Sequence, residues 1–508
     1  MNLMMLLEMA SAGFGERVAV KSGEISLTYA ELLEASRAVA AELADSGCAH
    51  MATLDVSSPA IPIGLFASAW AGLPFVPLNY RLTGEELDAL VERVTPVFLV
   101  TERERVPHLA NLPDARVVAR DELLDRARGG RAGTGGELPA DSSWPMDPDE
   151  IAILLFTSGT TGAPKAAVLR HKHLVSYILA SVEFGSASEQ DAALVSVPPY
   201  HIAGMAAIAS SVYSGRRIVQ LPNFSAEAWI ETARAEQVTH AFVVPTMLAR
   251  IVDALEGQQS AGLPALRALS YGGGKMPQSV IERAMRLFPD TAFANAYGLT
   301  EASSTISLLG PDDHRAALES EEPSVRQRLI SVGRPLPSVE IEIRDPIGNV
   351  VAPGTRGEIF VRGEQVSGEY LGRGSTLVEE GWFPTRDGGW LDAEGYLFVE
   401  GRIDDIIVRG GENLSPGEIE EILREHTGVS DCAVVGVPDE RWGEAVAAVV
   451  VPRGGEAPSE GELQSWVKER LRSSRTPERI EFRESLPYNE TGKLLRRLVR
   501  ADLVGERR

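Results

Sequence analysis

Between Leu27 and about Leu336, short apolar runs alternate with longer stretches whose apolar residues recur at helical spacing. LTYAELLEASRAVAAELADSG predicts a helix entered through Thr28. Its residues Leu32, Ala35, Val39 and Leu43 fall near a 3.6-residue period, and Ala40 widens the stripe. Residues 151–156, 193–197, 217–221, 240–244, 268–271 and 293–297 read as buried strands, with helices predicted over 245–255 and 277–287. Such alternation predicts parallel sheets covered by helices. After Pro337 the rhythm changes. VEIEIRDPIGNVVAPGTRGEIFVRG alternates at period two around Pro-Ile-Gly-Asn and Pro-Gly turns, which predicts antiparallel hairpins. It changes again after Arg402. DDIIVRGGENLSPGEIEEILREH gives a strand, a glycine pair and a helix capped by Ser415, with Pro416 at its first position and Glu418 completing a capping box. A second box, Ser459 with Glu462, opens a helix whose face is Leu463, Trp466, Val467 and Leu471. The fold class is therefore α/β: a large N-terminal domain of helix-covered sheets with a small antiparallel barrel-like subdomain, and a small α+β C-terminal domain.

The 508 residues can bury a large core, and 44% hydrophobic with 24% charged content is ordinary for a globular protein. A net charge of −23 argues against a general nucleic-acid or anionic-membrane binder, but not against a small anion met by local lysines. Two cysteines, Cys48 and Cys432, stand far apart and in no metal-ligand spacing, so a disulfide framework is not expected and a reducing cytoplasm fits best. The start MNLMMLLEMASAGFGER lacks a basic leader and reads as an amphipathic helix, and no 18-residue apolar run predicts a membrane span. Glycine-rich residues 127–137 and 454–462 read as surface connections.

Chemistry concentrates in FTSGTTGAPK, residues 156–165, where four hydroxyl side chains, two glycines, a proline and a lysine follow an apolar strand. The spacing is wrong for a mononucleotide P-loop, and Ala166 follows the lysine. The loop's chemistry still suits phosphate: glycines admit backbone N–H groups, hydroxyls donate and lysine supplies charge. An ordinary Ser/Thr/Gly turn is the competing reading of the loop alone.

The pattern TSGTTGxPK resembles the signature of the adenylate-forming superfamily, which includes acyl-CoA synthetases, peptide-synthetase adenylation domains and beetle luciferases. PLNYRLTGEEL (77–87), PPYHIAG (198–204), YGLTE (297–301), residues 381–420 and NETGKLLRR (489–497) resemble further family segments in the family's order, across essentially the whole chain. The resemblance implies two half-reactions in one site: a carboxylate attacks the α-phosphate of ATP, and coenzyme A then displaces AMP from the acyl-adenylate. It implies that Thr157, Ser158, Gly159, Thr160, Thr161, Gly162 and Lys165 enclose the β- and γ-phosphates. Glu301, with Thr157, would hold Mg2+, and Thr300 would meet the α-phosphate. Tyr297 and Gly298 would lie against adenine, with Gly272, Gly273 and Gly274 on its other side. Asp387 and Arg402 match the ribose positions. Lys493 would bridge carboxylate and α-phosphate from a mobile domain of residues 404–508, which swings about Asp404 against residues 1–403. Arg409, Gly410 and Gly411 would then face the pantetheine tunnel.

The acid pocket is expected from His201, Ala203, Gly204, Met205, Val244, Tyr271 and Ser303, with His201 as wall or gate and Lys275 as the one cation nearby in sequence. These are mostly small or apolar, and residues 200–202 offer no aspartate for an α-ammonium, which favours a fatty, branched or aromatic acid. Two departures stand out. Arg386 replaces the glycine of the usual Thr-Gly-Asp and is expected in solvent or on phosphate, and Ala166 replaces a common glycine. An acyl-CoA ligase is the leading expectation. The alternatives are a ligase acting on an acyl carrier protein and, in another class, a non-catalytic adenylate binder or a luciferase-like oxygenase. A homodimer stays open.

Overall fold

Two large, mostly parallel sheets and two smaller, mostly antiparallel ones make up a computed structural model that describes residues 1–129, 143–157, 164–454, 457–488 and 494–505. One large sheet runs parallel from Ile151–Thr157 through Phe75–Pro77, His50–Leu54 and Val97–Thr101 to Ala115–Ala119. Its other end turns antiparallel through Lys165–Arg170 and Glu369–Tyr370. The second large sheet runs parallel from Ala292–Leu299 through Ala268–Gly272, His240–Val243, Ala192–Val195 and Arg217–Gln220 to Val18–Ser22. Each expected strand lies within two residues of its predicted limits, because a strand buried on both faces is a continuous apolar run.

A single apolar core joins the sheets. Phe75 and Phe98 from one, and Val195 and Ile218 from the other, share it with helices Tyr29–Ala44, Ala60–Ala71 and Ile202–Ser214. Ala60–Ala71 is apolar all round and buried from Ala60 through Ala69, as a helix between two sheets must be. The expected stripe of Tyr29–Ala44 is buried, and Thr28 and Glu31 close a full capping box at its start. The first helix, Met4–Phe14, packs into the same core, where Leu3 N–H donates to His171 Nδ1 at 3.2 Å. Among the described residues no helix is long and apolar enough to cross a membrane, and both cysteines are free.

The predicted hairpins form a four-stranded antiparallel sheet: Val339–Arg344, Gly357–Gly363, Phe383–Leu391 and Leu397–Arg402. Beyond it, the small lobe pairs Glu412–Leu414, Ile407–Arg409, Gly443–Pro452 and Val429–Asp439, with Arg479–Phe482 parallel to Gly443–Pro452. It has its own apolar core around Ile407, Val434, Val446 and Val467.

Two local expectations fail here. Ser415 precedes helix Pro416–Arg424, but its hydroxyl meets Glu400 O at 3.4 Å and Glu418 pairs with Arg475 at 2.8 Å, so no capping box forms. Ser459 does accept Glu462 N–H at 3.2 Å, while the Glu462 carboxylate turns to His426 at 3.3 Å. In both cases the glutamate is drawn to a partner remote in sequence, Arg475 or His426, in place of the local bond. The connection expected from residue 127 starts later, since helix Arg120–Gly129 runs through that position. The rest of that stretch, and residues 455–456, lie outside the described residues.

His171, His173, His201 and His240 are each held down to about 4 by burial. The unfolded chain therefore takes up protons that the folded chain refuses. Their contribution to stability is present above pH 6.5 and is lost as pH falls toward 4, at up to about 1.4 kcal/mol per pH unit for each. Chemical denaturation of His240→Gln should show a shallower loss across this window than the parent; an identical slope would contradict the assignment. In the small lobe, buried Glu420 accepts Arg496 through both oxygens at 2.7 and 2.8 Å and Val434 N–H at 2.9 Å. Glu420→Ala strands both donors and should destabilise that lobe by about 3 kcal/mol, seen as hydrogen exchange accelerated there and not in the large lobe.

Candidate active site

The phosphate-loop segment sits on a hairpin. Strand Ile151–Thr157 runs antiparallel to Lys165–Arg170 and sets Thr157 opposite Lys165. Ser158, Gly159, Thr160, Thr161 and Gly162 lie outside the described residues. The flanks are pinned on both sides. Thr157 Oγ1 donates to Lys165 O at 3.3 Å, while the Arg93 guanidinium donates to Pro164 O at 2.5 Å and lies 4.9 Å from the Phe156 ring centre. Ala166 continues the strand, buried, and its carbonyl accepts Leu371 N–H at 2.9 Å, so a side chain is at no disadvantage there.

Glu301 lies in a single turn, Thr300–Ala302, at the end of strand Ala292–Leu299. The chain then doubles back so tightly that a Cβ on Gly298 would stand 1.7 Å from Ser304 O. Glu301 O accepts Ser367 N–H at 2.8 Å and Gly368 N–H at 3.1 Å, and its carboxylate accepts the Tyr370 hydroxyl. Lys165 Nζ lies 5.5 Å from the centre of the Tyr370 ring. Tyr370 thus touches both charged residues of this end of the site. Sequence reading missed it, although SGEYLGRG was in view. Among the described residues no three acidic, histidine or cysteine side chains gather as a preformed metal cage. One carboxylate beside a phosphate loop fits magnesium, which is commonly held by one or two carboxylates together with substrate phosphates.

In the second cluster, Tyr297 donates to Asp387 Oδ2 at 2.6 Å, and Arg402 Nε lies 3.3 Å from Asp387 Oδ1. Asp387 and Arg402 face each other across two antiparallel strands. Burial, then Asp387, push the Tyr297 hydroxyl well above its ordinary range, so it stays a neutral donor. The three expected glycines differ in need. A Cβ on Gly272 would meet Ala296 O at 2.1 Å, Gly273 has φ +82°, and Gly274 has only Pro245 at 3.7 Å. Arg386 is exposed, as one of its two expected placements had it. It adopts φ +63°, where glycine is at ease and other residues are strained, and its guanidinium donates to Asp404 Oδ1 at 2.7 Å.

His201 precedes helix Ile202–Ser214, and Gly204 is required because a Cβ there would stand 2.9 Å from Pro198 O. The His201 ring lies 4.5 Å from Tyr200, itself edge-on to Tyr80 at 5.5 Å. His201 Nε2 is buried without a hydrogen-bond partner, and burial, then Arg81, hold the imidazole to about 4. It is neutral near pH 7. Ala203 is half-buried, and Val244 borders Gly273. Three expected pocket residues belong elsewhere. Tyr271 turns into the helix-covered core, where its hydroxyl meets His314 Nε2 at 2.9 Å. Ser303 is fully buried and donates to Gln365 O at 2.9 Å, and Met205 packs into the central core. The strand alternation that hides Tyr271 was overlooked in favour of nearness in sequence.

Asp404 sits in the turn Ile403–Asp405, between the last strand of the large lobe and the first of the small one. Arg409 pairs with Glu478 at 2.5 Å and lies 4.6 Å from the Trp442 ring centre, and Gly410 N–H donates to Trp442 O at 2.7 Å. Gly410 and Gly411 have φ of +58° and +84°, and a Cβ on Gly410 would strike the Trp442 ring at 2.9 Å. The expected thiol-tunnel strand thus packs within its own lobe here. Lys275 is half-exposed and pairs with Glu421 of the small lobe at 2.8 Å. Lys493 lies outside the described residues. Flanking Tyr488 and Leu494 bridge to each other, and the Tyr488 hydroxyl donates to Asp431 at 2.5 Å.

Residues 7–371 match the family model of AMP-binding enzymes, and residues 418–493 match that of the AMP-binding enzyme C-terminal domain. The chain is 34% identical to a feruloyl-CoA synthase of Amycolatopsis sp over 490 residues, 95% of each chain. It is also 34% identical to the fatty acid–[acyl-carrier-protein] ligase ScoC of Streptomyces coeruleorubidus, over 95% of this chain and 92% of that one. The o-succinylbenzoate CoA synthetase of Bacillus subtilis, solved with its acyl-adenylate intermediate, superposes with a TM-score of 0.84 at 30% identity over 97% of both chains. The same synthetase solved with ATP and a magnesium ion superposes at 0.82, with 29% identity over 97% of this chain and 98% of that one. The chain belongs to the AMP-binding enzymes of the adenylate-forming superfamily, as an ATP-dependent, AMP-forming acid–thiol ligase.

Proposed function

We propose that the enzyme activates an aromatic carboxylic acid as its adenylate and passes the acyl group to coenzyme A. The observation that carries this reading is the continuous array from Lys165 and Glu301, joined through Tyr370, alongside the Tyr297–Asp387–Arg402 cluster. One end suits phosphate and a divalent ion, the other a ribose. Tyr80, Tyr200 and neutral His201 supply an aromatic neighbourhood for the acid, with the Arg81 guanidinium 5.7 Å from the Tyr80 ring centre. Residues 198–207 contain no carboxylate, so a buried α-ammonium would go unpaired. Relatives named for feruloyl, indoleacetate and 2-succinylbenzoate substrates support an aryl acid. The carrier-protein ligase relative favours a second reading, a fatty acid delivered to protein-bound pantetheine.

In adenylation the nucleophile and the attacked phosphate are both anionic, so alignment and charge neutralisation dominate. Lys165 would neutralise terminal phosphates, and Asp387 with Arg402 would fix the ribose. Magnesium, held by Glu301 with Thr157, would offset charge on the phosphates. Lys493 would reach both carboxylate and α-phosphate when residues 404–508 close over residues 1–403, with Asp404 as pivot. The lobes meet through polar contacts such as Lys275–Glu421, which suits an interface that must part.

Pyrophosphate release over a panel of aryl and fatty acids, with coenzyme A or a pantetheinylated carrier protein as acceptor, tests this reading; release with fatty acids only and transfer only to the carrier would overturn it. Lys493→Ala should lower adenylation about 10²–10³-fold while sparing thioester formation from supplied acyl-adenylate, and equal losses in both steps would exclude the assigned role. Arg386→Gly relieves about 1 kcal/mol of left-handed strain and frees Asp404. Its melting temperature should hold or rise, and rapid-quench measurement should find thioester formation faster relative to adenylation.

A further inference from the structure

We propose that Tyr370 is a positioning residue for the magnesium–phosphate end of the site: its hydroxyl fixes one oxygen of Glu301, leaving the other for the metal, while its ring seats Lys165. The inference rests on the ligase reading above and gives a specific task to the residue that joins its array.

The frame around Tyr370 is anchored independently of its side chain. Tyr370 pairs with Ala167 of strand Lys165–Arg170, Leu371 N–H reaches Ala166 O at 2.9 Å, and Ser367 Oγ donates to Val168 O. Arg170 holds Glu369 through two bonds of 2.8 and 3.0 Å. On the other side, Ser367 and Gly368 donate backbone N–H groups to Glu301 O. The segment is therefore already tied to both the lysine strand and the Glu301 turn, and no further bond is needed to keep it in place. The phenol adds something else: it reaches the carboxylate itself.

That contact has a directional consequence. A free glutamate in a half-buried turn samples several rotamers, and a phenol O–H donated to one oxygen selects among them. The same ring lies 5.5 Å from Lys165 Nζ, within cation–π range, so one side chain bears on both the ammonium and the carboxylate. A supporting group that orients a metal-binding carboxylate is worth about 10- to 100-fold in metal affinity.

The test is Tyr370→Phe, which keeps the ring and removes only the bond to Glu301. Calorimetry of ATP binding across a magnesium titration needs no knowledge of the acid, so it reads the tether even if every acid tested fails. The variant should require about tenfold more magnesium for half-maximal ATP binding, with an unchanged melting temperature. In a Glu301→Gln background the same substitution should change nothing further. Where an acid substrate is found, pyrophosphate exchange should fall and thioester formation from supplied acyl-adenylate should stay within about twofold. Tyr370→Leu should additionally weaken ATP binding at saturating magnesium, through the loss of the surface under Lys165. Wild-type magnesium demand in Tyr370→Phe, or a deficit that persists undiminished without the Glu301 carboxylate, overturns the proposal. Absence of pyrophosphate release by the parent enzyme with every acid would instead count against the ligase reading and leave the magnesium titration to decide the tether.

Discussion

The site depends on one return of the chain. Residues 367–371 come back after almost two hundred residues to lie along strand Lys165–Arg170, and they also bind the Glu301 turn, 69 residues upstream. The phosphate-loop hairpin and the YGLTE turn belong to different sheets, and that return hydrogen-bonds to both of them. The contact is mostly backbone-to-backbone, so it holds the two elements at fixed spacing with little dependence on side-chain rotamers. The Arg170–Glu369 pair, bidentate and only a quarter exposed, adds the geometric precision that a single exposed ion pair lacks.

Close backbone approach is the second constraint, and it explains where the family pattern admits change. Gly298 and Gly272 face neighbouring carbonyls at distances no Cβ tolerates, so these positions are fixed by the strand geometry itself. Gly410 is held by the Trp442 ring. Position 386 is different. Its constraint is conformational, since nothing blocks a side chain and only the left-handed φ disfavours one. Arginine accepts that strain and uses its reach to pair with Asp404 across the lobe boundary. A steric requirement for glycine is absolute, whereas a torsional one can be offset by a new contact.

The same distinction separates what the sequence revealed from what it hid. Continuous apolar runs announced the strands, and period two announced the hairpins, because burial on two faces or on one leaves those patterns directly in the chain. The Tyr297, Asp387 and Arg402 positions came from the family resemblance, and they do meet. Tyr370 left no such trace: its partners are remote in sequence, and a lone tyrosine in a glycine-rich turn has no period. Tyr271 and Ser303 misled for the opposite reason. Both lie next to site residues along the chain, but strand alternation turns one into the helix-covered core, and a tight turn hands the other to Gln365. Ser415 shows the limit of local rules, since Glu418 was better placed for Arg475 than for its own helix terminus.

A chain of net charge −23 must still admit a polyanionic nucleotide. The cations closest to the task are not free: Lys165 lies over Tyr370, and Arg402 is committed to Asp387 and to Thr385 O. Each is held by a partner weaker than a full, close ion pair, a ring face in one case and a carboxylate shared with Tyr297 in the other. Such partners keep the cations oriented and partly desolvated, while leaving most of their field available to a ligand. Screening over about 8 Å at physiological salt makes the bulk negative charge unimportant at that range. What the nucleotide meets is the local field, and that field is set by how incompletely these few cations are neutralised.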